Sequence, residues 1–122
     1  MTKFANTTRT HQDLSLDVGK ERTATALVTT ATAYKKGDLL TLSDANVLTH
    51  AVDEKTWDVI CKTDITAAEA TAMATAGVET PVFYAGMFNV AAVSLNGTKL
   101  AENKYAAARA KATKNRIELA KV

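Results

Sequence analysis

Cysteine is nearly absent from this chain of 122 residues: Cys61 stands alone. No internal disulfide can form, and a reducing compartment is the expected home. Proline is as scarce, with Pro81 the only one, and three Phe, three Tyr and one Trp are all the aromatics. Ala and Thr fill little volume, so a thin monomer core and burial against partner chains are expected. Charge of one sign is lacking too: 15 Lys and Arg against 13 Asp and Glu leave +2, which by itself implies neither nucleic acid nor an anionic membrane. Nor is there a long unbroken apolar run. The longest uncharged stretch, residues 80–98, is interrupted by Pro81, Gly86 and Asn89, so it does not read as a transmembrane helix. The opening "MTKFANTTRTHQDL" lacks the basic start, apolar centre and cleavage site of a signal peptide. A soluble intracellular product is expected.

Catalytic constellations are missing as well. Cys61 with His50 or His11 is a conceivable nucleophile pair, but no spacing brings them together, and a small buried thiol is the simpler reading. Two His and one Cys give no zinc spacing, and "SDANVLTHAVDE" has too few ligands in register for calcium. "KKGD" has a single Gly and no phosphate loop or dinucleotide fingerprint behind it. No catalytic, cofactor-binding or metal-ligating residue is therefore assigned, and the expectation is a protein that is not an enzyme.

What is there is mostly strand. Residues 1–22 are polar and Thr-rich and read as a flexible arm; residues 23–122 read as a single β-rich domain. Within the arm, "DLSLDV" alternates, putting Leu14, Leu16 and Val18 on one apolar strand face, which must find a sheet edge elsewhere. "TATALVTTATAY" is β-branched and ends at the turn "KKGD". "DLLTLS" and "NVLTHAV" flank the tight turn "SDAN". In "TWDVICKTDI", Trp57, Val59 and Cys61 are expected on one face, opposite Asp58, Ile60 and Lys62. Thr66 with Glu69 is a capping box before an Ala-rich run, and Gly77 is its stop, so a short helix or a helical loop is expected there. "PVFYAGMFNV" is apolar on both faces and must be covered on both, with Gly86 marking a bulge or bend that lets one strand serve two sheets. Asn96 and Gly97 form a turn. Thr98 then caps a helix whose inner face is Ala101, Tyr105, Ala108 and Ala112, and "RIELAKV" closes as a strand. That last helix is basic and reads as a solvated face or one meeting an acidic partner surface; nucleic acid is disfavoured because Tyr105 is its only aromatic.

The order "YKKGDLLTLSDANVLTHAV", "WDVICKTDITAAEA" and "TPVFYAGMFNVAAVSL", followed by a helix and a short strand, resembles the lambda-type head decoration proteins of tailed phages. The most specific match is Pro-Val-x-x-x-Gly-x-Phe-Asn-Val at residues 81–90. The likeness covers residues 23–122; the Ala/Thr-rich loop at 66–80 and the basic last helix depart from the family's pattern. The resemblance implies a mainly β, α+β fold: a β-clip-like bent ribbon with small helices, an extended N-terminal arm and a C-terminal helix. It also implies a homotrimer on the outer surface of the expanded capsid, assembled in the host cytoplasm. There the arm, with Leu14, Leu16, Val18 and Arg22 as its binding residues, adds a strand to the major capsid protein and cements neighbouring subunits against packaged-DNA pressure. No nucleic acid, membrane or cofactor is implied. Two other readings stand beside it: another phage structural subunit of the tail tube or head-completion type, and a barrel-sandwich carrier, which "KKGDLLTL" evokes but which lacks a modifiable lysine at a hairpin tip.

Overall fold

A computed structural model describes residues 14–122. Over these residues the protein is mainly β, with eight strands and two short helices. The strands are β1 (Arg22–Val28), β2 (Leu39–Leu42), β3 (Val47–His50), β4 (Val59–Cys61), β5 (Glu79–Asn89), β6 (Ser94–Leu95), β7 (Thr98–Lys99) and β8 (Ile117–Ala120). The helices are α1 (Ala67–Ala76) and α2 (Tyr105–Lys114).

β2 and β3 form the expected hairpin, which turns through Asn46 at φ 64°. The order β1-β3-β2-β4-β5 is closed by a further β1–β5 pairing, so five strands make a ring with no open end. Because side chains alternate across each strand, the ring sorts them into two cores. Leu40, Leu48, Val59, Cys61 and Val82 pack with Ala26, Val28 and Tyr34 into one cluster, capped by Ala70, Met73 and Ala74 of α1. Leu39, Ile60 and Phe83 belong to the other, where Trp57, Phe88, Val90 and Val93 meet Ala108 and Ala112 of α2 and Ile117 and Leu119 of β8.

The expected face of Trp57, Val59 and Cys61 is thus divided. β4 begins only at Val59, so Trp57 sits outside the strand and in the other core, its indole Nε1 donating to Glu54 O at 3.0 Å. β1 is also shorter than expected, ending at Val28; Ala31 lies at φ 58° in the loop beyond, a backbone turn no strand continues through.

α1 has the expected capping box: Thr66 Oγ1 accepts from Glu69 N at 3.1 Å, Glu69 Oε1 accepts from Thr66 N at 2.8 Å, and Gly77 ends the helix at φ 69°. α2 starts later than expected. Thr98 is spent in the β6–β7 hairpin, whose turn residues Asn96 and Gly97 have φ of 49° and 84°, and a 3-10 turn at Glu102–Lys104 precedes the helix. Ala101 consequently lies outside α2 and exposed, while Ala108 and Ala112 are fully buried and Tyr105 packs on the core.

β5 pairs with three other strands, β1, β4 and β8. Its first half pairs antiparallel with β1 and β4; its second half, Gly86 to Asn89, pairs parallel with β8. The change of partner occurs at a bulge, where Thr23 faces Phe83 and Arg22 faces Ala85, so that Tyr84 is skipped. Gly86 follows at φ 143°, and a Cβ there would lie 2.8 Å from the ring of fully buried Phe88. One strand does serve two sheet segments, and a glycine permits it.

Candidate functional site

Residues 1–13, the larger part of the expected arm, lie outside the described residues. The remainder of the arm is held by the body of the protein. Asn89 N donates to Leu14 O at 2.8 Å and Leu16 N donates to Met87 O at 2.9 Å, with Ser15 bridged antiparallel to Phe88. The second half of β5 therefore has β8 on one side and residues 14–16 on the other.

The single apolar face expected of Leu14, Leu16 and Val18 does not form. Leu14 is 6 % exposed and part of the α2-side core, Leu16 is half-buried, and Val18 is 68 % exposed. The strand stops because Asp17 caps a 3-10 turn, Val18–Lys20, by accepting from Gly19 N at 3.1 Å. Ser15 Oγ also donates to Glu21 Oε2 across that turn. Arg22, expected as an arm residue, is the first residue of β1; its guanidinium donates to Glu21 O at 2.8 Å. Leu14 is thus an anchor, and Val18 and Arg22 are exposed at the foot of the segment rather than aligned with it.

The 3-10 turn carries Lys20 to the rim of a groove of about 910 Å³ between α2, β8 and the bend of β5. Ala85, Gly86 and Met87 form one wall; Ala106, Arg109, Ala110 and Thr113 of α2 form the opposite one. Arg109 Nε donates to Leu119 O at 2.9 Å, which fixes the guanidinium beside the strand. Nothing in the sequence singles out Lys20, because its position depends on where the chain turns after Asp17.

The candidate chemistry at Cys61 and His50 is engaged elsewhere. Cys61 is fully buried, its Sγ donates to Thr63 O at 3.0 Å, and burial pushes its thiol up to about 11. His50 Nε2 donates to Ala33 O at 2.7 Å, and its ring stacks on Tyr34 with centroids 5.1 Å apart. The aspartate of "KKGD" is structural. Asp38, 1 % exposed, accepts from Ser94 Oγ at 2.7 Å, Gly97 N at 3.0 Å and Lys35 N at 2.9 Å. One carboxylate pins two turns together. Among the described residues no group of three or more His, Cys, Asp and Glu is placed to hold a metal, and no helix is long and apolar enough to cross a membrane. Comparison with known protein families and with curated proteins found no match.

Proposed function

We propose that this chain is a head decoration protein of the lambda type, a non-catalytic subunit that binds the outside of an expanded phage capsid as a trimer. The observation that carries the reading is the behaviour of β5. The segment that resembles the family, residues 81–90, covers most of the bent strand β5, which joins both halves of the fold and holds residues 14–16. Because residues 14–16 are paired to β5, a strand added by the preceding residues to a neighbouring shell protein would be tied to the body. Leu14 and the backbone of residues 14–16 serve as anchor in this scheme, and residues 1–13 with exposed Val18 and Arg22 are left to meet the capsid. Three such arms on one trimer convert weak individual attachments into firm binding through effective concentration.

The test is electron cryo-microscopy of expanded heads with and without the protein. Three-fold knobs at the outer surface are expected only when it is present. Bare heads, or six-fold rings of free protein, would turn the assignment toward a tail or completion subunit.

A further inference from the structure

The basic character of the chain's end is absorbed only in part by internal contacts. Lys99 Nζ donates to Ala92 O at 2.8 Å, and Lys104 lies 3.7 Å from buried Glu54. Lys20 and Arg116 are different: their side chains make no hydrogen bond or ion pair among the described residues, and both line the groove between α2 and the bend of β5. With Arg109 they set three cations against one carboxylate, Glu118, so the groove's lining carries two net positive charges.

We infer that this groove is a docking site for an acidic peptide segment of a partner protein. At about 910 Å³ it has room for several side chains of a peptide. Its chemistry separates a peptide from a nucleic acid. No aromatic side chain lines it to stack a base. Alternating acidic and small side chains suit it: the carboxylates reach Lys20, Arg109 and Arg116, and the small residues rest on Ala106 and Ala110. Arg109 is already oriented by its bond to Leu119 O, so less side-chain freedom is lost on binding. The site adjoins the root of the N-terminal segment, which places a second attachment beside the first. This deepens the decoration reading, on which only the capsid arm of the test depends.

The test titrates the full chain, isotope-labelled, with an Ala–Glu alternating octapeptide while backbone amide shifts are recorded by NMR. Shifts are expected at residues 85–87, 106–113 and 117–119, falling away with added salt. The K20Q/R116Q variant is expected to bind about tenfold more weakly, and Glu118→Gln more tightly than the parent. Shifts spread over all surface lysines, no shifts at all, or tighter binding of an eight-nucleotide single strand at the same amides would overturn the inference. If K20Q/R116Q does not fold, the parent titration and Glu118→Gln decide alone. Expanded heads then separate the two claims: K20Q/R116Q binding heads as well as the parent discards the groove and keeps the decoration role. A parent that ignores heads but takes the peptide discards the role and keeps the groove.

Discussion

Gly86 and Cys61 show how single residues constrain the molecule. Gly86 combines φ 143° with a buried phenyl ring 2.8 Å from where a Cβ would stand, so Gly86→Ala meets both a backbone and a steric penalty. A loss of about 4 kcal/mol is expected, read as a lower urea midpoint with an unchanged slope. A loss below about 1 kcal/mol would mean that the bend is not built as described. Cys61 gives a pH signature. Its thiol is raised from an ordinary 9.0 to about 11 by burial, so the folded chain keeps a proton that the unfolded chain releases. Stability from this group is complete below pH 9.0 and is lost as pH rises toward about 11. The wild-type curve should therefore fall more steeply than that of Cys61→Ala in this window, by up to about 1.4 kcal/mol per pH unit. Parallel curves for the two proteins would contradict it.

At the scale of elements, the root of the N-terminal segment yields the sharpest contrast. Leu14 is buried among core residues and Val18 stands 68 % exposed four positions on. Leu14→Ala should cost about 2–3 kcal/mol and Val18→Ala less than about 0.5 kcal/mol by urea unfolding. Equal and small effects would show residues 14–16 detached from β5. This element also marks the limit of what the sequence made legible. The alternation of "DLSLDV" correctly signals an extended stretch, but Asp17 and Gly19 make a local capping turn that ends it, and that turn outweighs the apolar pattern. Features decided within a few residues were readable: the Thr66–Glu69 box, the Asn96–Gly97 turn, the alternation of Ile117 and Leu119. Those decided by distant partners were not. Trp57 changes core because β4 starts late, Thr98 is taken by a hairpin partner instead of capping α2, and closure of the ring depends on β1 finding β5. The groove was half legible: the cations of α2 were evident, whereas Lys20 reaches them only through the folded path of residues 17–20.

At the scale of the whole molecule, five strands close into a ring, and residues 14–16 pair with the bend of β5 beside it. Among the described residues Trp57, Leu39, Leu40, Phe88 and Ile60 are wholly buried, so folding is expected to survive the loss of residues 1–13. Removing those residues should leave the thermal midpoint within a few degrees of the full chain. Removal through residue 16 should lower it clearly, because Leu14 and the two backbone bonds to β5 go with it. The decisive comparison for the decoration role is quantitative co-sedimentation with expanded phage heads, full chain against the chain lacking residues 1–13. Saturable binding by the full chain and its loss in the shortened, still folded one is the predicted result; equal binding by both, or none by either, would contradict the proposed role.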